Sequence, residues 1–117
     1  MAAKDKRTTE QVLQHHLQAL MAQDLEAIVD DYADNAVLIT AAGISRGKSG
    51  VRDTYKAVLG MVAPETQANM KIVSQQIADD YALMLWTELP LVTFGADSFH
   101  IQNGKIVMQA AAVEMKT

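Results

Sequence analysis

The chain has 117 residues, half of them hydrophobic and 21% charged, which bounds it to one folded domain, residues 1–117, and excludes disorder. Its net charge of −4, with ten basic residues scattered along the sequence, argues against nucleic acid or an anionic membrane as a partner. With no cysteine there is neither disulfide nor thiolate chemistry. The short charged segment Met1–Arg7 is no signal peptide and no later apolar run would span a bilayer, so the expected location is the cytoplasm.

In chain order, Thr8 and Gln11 form a capping box ahead of a first helix whose apolar stripe is Val12, Leu13, Leu17, Leu20 and Met21. Asp24 caps a second helix, with Leu25, Ile28, Val29 and Tyr32 at i, i+3, i+4 and i+7. A short β-rich run, Ala36 to Thr40, ends in the turn-prone Ala41-Ala42-Gly43. Ser49 is placed to cap a third helix that buries Val51, Tyr55, Val58 and Val62 and is stopped by Pro64. From Met70 the pattern becomes extended: Met70 to Ala78, Tyr81 to Leu89, and Thr93 through Ile101. Asn103-Gly104 is a tight-turn signal that leads into a last strand, Lys105 to Met115, and Pro90 marks an edge or bulge. Helices followed by a strand meander give an α+β layout, and a long curled sheet closed by helices leaves a cavity between the layers.

The residues that carry chemistry are polar groups on apolar faces. Asp97 shares its strand face with Phe99 and Ile101, while Ser98, His100 and Gln102 point the other way. A carboxylate among apolar side chains must find donors, pair, or carry a raised pKa, which is how an active-site acid or a ligand-orienting group looks. The competing reading is a half-solvated carboxylate at the rim of the strand. His16 has apolar neighbours on its helix face at Val12, Leu13, Ala19 and Leu20, whereas His15 neighbours Gln11 and Gln18 and reads as solvated. Tyr55 lies in the buried stripe of the third helix, where its hydroxyl needs a partner. Met84 and Trp86 share one face of a strand and fit a core as readily as a pocket wall.

Other chemistries fail on spacing. Gly47-Lys48-Ser49 resembles the end of a phosphate-binding loop, but the glycine required five residues before Gly47 is replaced by Ala42. His15, His16 and His100 make no metal set, and no nucleophile elbow surrounds any serine. Neither a metal nor a cofactor is expected.

The segment Ala19-Leu-Met-Ala-Gln-Asp24-Leu-Glu-Ala-Ile28, then Tyr32-Ala-Asp-Asn-Ala36-Val and Arg46-Gly47, resembles the nuclear transport factor 2-like superfamily. Ala96-Asp97-Ser-Phe99-His-Ile-Gln-Asn103-Gly104-Lys105-Ile106 resembles its penultimate strand, turn and final strand. Within it the chain is most similar to SnoaL-like and ketosteroid isomerase-like proteins. The resemblance implies a cystatin-like cone: a curved, mostly antiparallel sheet wrapped around three N-terminal helices, with an internal pocket and a homodimer built through the sheet. It places Asp97 at the protonated oxyanion-hole acid, a residue of ketosteroid isomerase that is a standard example of a carboxylic acid kept neutral. Tyr55 matches a supporting tyrosine, and His16 stands where that enzyme has a tyrosine. Thr40 stands at the general-base position, and no acidic residue lies between Ala36 and Ser49, so ketosteroid isomerisation lacks its base.

The expectation is a pocket protein that binds a small apolar molecule as a homodimer. Asp97 and His16 are the candidate catalytic residues, and Tyr55, Thr40, Trp86, Met84 and Phe99 the candidate ligand-binding ones. Two alternatives stand beside it. One is an isomerase, cyclase or dehydratase acting on a small carbonyl or polyketide-like substrate through Asp97 and His16. The other is a dimerisation module without chemistry.

Overall fold

The computed structural model describes residues 7–116, so the segment read above as no signal peptide lies, except for Arg7, outside the described residues. Helix α1 (Thr9–Met21) begins at the expected capping box, with the Thr8 hydroxyl accepting from Gln11 N–H and the Gln11 side chain accepting from Thr8 N–H. It ends in a Schellman turn: Gln23 is left-handed (φ 54°), Asp24 N–H donates to Ala19 O, and Gln23 N–H donates to Leu20 O. Asp24 then caps α2 (Leu25–Asp30) through Ala27 N–H.

Strand β1 (Tyr32–Thr40) turns back at residues 41 and 42 into β2 (Gly43–Arg46). Tyr32 therefore opens a strand and does not belong to the second helix, and the β-rich run is longer than Ala36 to Thr40. An i+4 spacing keeps one face in a helix and in a strand alike, so Tyr32 remains inward in either state. Helix α3 (Gly47–Met61) starts two residues before Ser49, and Arg46 at its N-cap makes no side-chain cap bond. Gly47, at φ +72°, turns the chain from β2 directly into the helix, which leaves Ser49 inside it. Pro64 begins a single-turn helix, α4 (Pro64–Gln67), after α3 has ended.

Strands β3 (Met70–Ala78), β4 (Tyr81–Glu88), β5 (Val92–Gln102) and β6 (Lys105–Met115) form the expected meander. Asn103 and Gly104 both take positive φ in the last hairpin. The sheet order is β2-β1-β6-β5-β4-β3, antiparallel except for the parallel pair β1–β6. The first half of the chain thus supplies two strands as well as helices, and β1 closes onto the last strand.

Helices cover only the inner face of the sheet. Val12, Leu13, Ile28, Val29 and Val51 pack there against Tyr32, Leu38, Phe99, Ile101 and Ile106 in one core. The register shifts between His100 and Ile101, leaving Val107 as an extra residue in β6. That bulge allows Ile106 and Gln109, three residues apart, both to face the core, where a regular strand would turn one of them out.

Candidate functional site

Six side chains from six elements meet on the inner face of the sheet: His16 (α1), Tyr32 (β1), Tyr55 (α3), Trp86 (β4), Asp97 (β5) and Gln109 (β6). Strand register places three of them. Asp97 pairs with Ala111 on one side and Met84 on the other, so Gln109 and Trp86 are its diagonal neighbours on the same face. The indole of Trp86 lies over Gly95, where a Cβ would stand 2.2 Å from Cε2, so only glycine leaves room for the ring.

Both oxygens of Asp97 accept from neutral donors. Trp86 Nε1–H donates to Oδ1 (3.1 Å) and Gln109 Nε2–H donates to Oδ2 (2.9 Å). At its other end the Gln109 amide oxygen accepts from the Tyr32 hydroxyl and, at 3.3 Å, from the Tyr55 hydroxyl. The two hydroxyls are 2.9 Å apart, and His16 Nε2 lies 3.5 Å from Tyr55 Oη.

The proton inventory fixes the tautomer of His16. Tyr32 spends its one proton on Gln109, and Tyr55 spends its own on the nearer acceptors, Tyr32 Oη or Gln109 Oε1. His16 Nε2 must therefore carry the hydrogen and donate to Tyr55, which leaves Nδ1 a bare lone pair. Nδ1 is buried and has no partner.

Burial also sets the protonation states. It pushes the Asp97 carboxyl up from 3.8 to about 6, against the opposing pull of the bonds from Trp86 and Gln109. It lowers His16 from 6.5 to about 4, an effect that nearby Asp31 opposes and His15 reinforces. Burial raises both tyrosine hydroxyls as well. At neutral pH the network is an ionised or nearly ionised carboxylate surrounded by neutral donors.

Asp97 is not at a solvated rim, nor is it sealed in the core. It is partly buried, and next to it the inner face loses its helical cover: Ala111 is partly exposed, and Val113, opposite Gly95, is 50% exposed. Met84 sits opposite Asp97 and is buried, and Phe99 packs edge-on against His16 with ring centroids 5.9 Å apart. Thr40 follows Ile39, the β1 partner of Ala110, and so falls beside Ala111 on the same face. It ends β1 at the hairpin, where its hydroxyl accepts from Ala42 N–H.

Two members were not singled out in the sequence. The spacing of Tyr32 from Ile28 fits a helical stripe, and Gln109 is brought inward only by the bulge at Val107. His15 is a correction: it is half exposed, yet its Nδ1 lies 2.8 Å from both oxygens of Asp31, which is wholly buried and also accepts from Arg7 (3.1 Å). A buried carboxylate this close captures the imidazole, and helix-face neighbours do not report it.

Two surface grooves lie away from the network. One, of about 460 Å³, is lined by Met61, Ala63, Thr66, Pro90, Leu91 and Lys116. The other, of about 440 Å³, runs beside Tyr81, Leu83, Ser98 and Met108 and reaches Phe99. Among the described residues no helix is long and apolar enough to cross a membrane, and no group of three or more His, Asp or Glu is placed to hold a metal.

Known structures share this architecture. A SnoaL-like protein of unknown function from Burkholderia thailandensis superposes with a TM-score of 0.74 at 19% identity, covering 91% of this chain and 93% of that one. A candidate polyketide cyclase from Sinorhizobium meliloti gives 0.73 at 15% identity, covering 95% and 99%. An uncharacterised cystatin-fold protein from Novosphingobium aromaticivorans gives 0.67 at 18% identity, covering 90% and 97%. At these identities the likeness establishes the fold. No curated protein matches the sequence. The sequence model of the SnoaL-like domain matches residues 13–109, which span the helices, the sheet and every member of the network, and the chain belongs to that family.

Proposed function

We propose that this protein binds a small, mostly apolar molecule on the concave face of its sheet, with Asp97 as the polar anchor, and that two copies associate through the opposite face. The observation that carries the reading is the position of Asp97. Its carboxyl stands where the buried network ends and uncovered apolar surface, Ala111 and Val113, begins. A few polar groups converging beside apolar surface are the usual make-up of a small-molecule site. Trp86 flanks that anchor, Met84 and Phe99 support it from the core, Tyr55 and His16 brace it from behind, and Thr40 stands at the end of β1 beside Ala111.

Association is supported by the outer face, which no helix covers. Ile39, Ile44, Leu83, Tyr81 and Phe94 lie exposed across four strands of it, and the small side chains Ala96, Ala110 and Ala112 permit close approach.

A second reading is acid–base catalysis on a small carbonyl or polyketide-like substrate. The Asp97 carboxyl, at about 6, can both give and take a proton near neutral pH. His16 would act behind it through Tyr55 and Gln109. Native mass spectrometry of freshly purified protein, followed by denaturing release of whatever is bound, tests the first reading. A dimer carrying a defined small molecule supports it. An empty protein that turns over carbonyl substrates, and loses that turnover in Asp97→Asn, replaces it with the second.

A further inference from the structure

Among the described residues, no charged side chain forms an ion pair with Asp97. Arg7 and His15 pair with Asp31, and Arg52 with Glu26, and none of these pairs involves Asp97. Its own partners, Trp86 and Gln109, are neutral. The groups that face it from the surrounding elements are neutral too: Met84 from β4, Ala111 from β6, and behind Gln109 the hydroxyls of Tyr32 and Tyr55 and the unprotonated imidazole of His16. A partly buried carboxylate is ordinarily matched by a cation. Here the two N–H bonds hold it in place and leave a lone pair on each oxygen unused.

The surroundings of those lone pairs are aromatic and apolar. Trp86 is held by its N–H bond to Asp97 and by its seat on Gly95, and its indole remains partly exposed. Beyond it lie Ala111 and the half-exposed Val113. A fixed anion beside an indole face is complementary to a cation: the carboxylate supplies charge-assisted hydrogen bonds and the ring its quadrupole. A ketone would instead set an acceptor against an acceptor.

We propose that the ligand of the concave site is an organic ammonium ion, a primary or secondary amine on an apolar body, with its N–H groups on Asp97 and its body against Trp86, Ala111 and Val113. The proposal rests on the reading of the concave face as a ligand site and names the class of ligand. The carboxyl, pushed up to about 6, is mostly ionised at pH 7, and pairing with a cation draws it further toward the ionised form.

Trp86 is the one tryptophan of the chain and reports on its own site. The test is a titration of Trp86 emission with phenethylamine, phenethyl alcohol and benzylacetone, which share a phenyl body and differ in the head group. The protonated amine is expected to bind at least about tenfold tighter than either neutral probe at pH near 7.5, and to weaken as the pH falls below about 6. In Asp97→Asn, with the fold verified by circular dichroism, that preference disappears. Binding of benzylacetone or the alcohol as tight as the amine leaves the concave site standing and overturns the cation. A preference for the amine that survives in Asp97→Asn overturns it as well. If none of the three probes moves the emission, both the ligand class and the site fall.

Discussion

Gln109 and Asp97 stand diagonally across the β5–β6 pair, 2.9 Å apart, and the amide of Gln109 faces two ways. Its N–H side holds the carboxylate, and its oxygen collects the hydroxyls of Tyr32 and Tyr55. One side chain therefore joins a dry tyrosine–histidine cluster to a carboxylate at the edge of the open concave face. Asp97 keeps its place and state because Gln109 is satisfied on both sides, as a buried polar network requires.

Gln109→Leu preserves most of the volume and removes both halves of this link. Two buried hydroxyls lose their acceptor and Asp97 loses a donor, so the substitution is expected to cost about 3 kcal/mol in urea unfolding. The carboxyl of Asp97 should also titrate higher, since one of the bonds that lowers it is gone. A loss below about 1 kcal/mol would mean that the network is not satisfied through Gln109.

The two titrating members act on stability in opposite senses over the same pH range. Between pH 4 and 6 the folded state keeps a proton on Asp97 that the unfolded chain, at 3.8, has released, so this group lowers stability as pH rises. Folded His16, lowered from 6.5 to about 4, lacks a proton that the unfolded chain holds, so this group lowers stability as pH falls. Each is worth roughly 2–3 kcal/mol across the window, and in the wild type they offset each other. Relative to the wild type, Asp97→Asn should lose stability as pH falls from about 6.5 to 4, and His16→Phe should lose it as pH rises from about 4 to 6. Equilibrium unfolding at several pH values separates the two. Parallel profiles for all three proteins would contradict the assigned protonation states.

Gly95→Ala drives a methyl group into the Trp86 ring, whose Cε2 would lie 2.2 Å from it. A strand cannot yield that much, so the cost should be about 3 kcal/mol, with a shift of tryptophan emission as the indole leaves Asp97. In a Trp86→Ala background the same substitution should cost under about 0.5 kcal/mol. Equal costs in both backgrounds would show that the ring does not occupy the space over Gly95.

Leu83→Glu places a charge in the middle of the outer face, where Leu83 pairs with Ser98 and is 39% exposed. Sedimentation velocity should find a dimer for the wild type and a monomer for the variant, with the melting temperature of the isolated subunit little changed. A wild type that sediments as a monomer at micromolar concentration would remove the proposed association.

Much of this arrangement was legible in the sequence. The capping box at Thr8, the alternation that turns Asp97 inward beside Phe99, and the Asn103-Gly104 hairpin are local signals, and each is realised. What escaped depends on long-range pairing. The parallel contact of β1 with β6 has no local signature, so the strand opened by Tyr32 reads as helix. Gln109 is polar, and regular alternation from Ile106 would put Met108, not Gln109, inside; only the bulge at Val107 reverses this. His15 looks solvated from its helix neighbours because Asp31, its partner, comes from a different element.

The location of the site is the central claim, and amide chemical-shift mapping by NMR on titration with phenethylamine tests it most directly. Shifts concentrated at Trp86, Asp97, Ala111 and Val113 are predicted, with the Pro90 groove unmoved. Shifts confined to the outer face around Tyr81 and Leu83, or to the groove at Met61 and Leu91, would contradict the account.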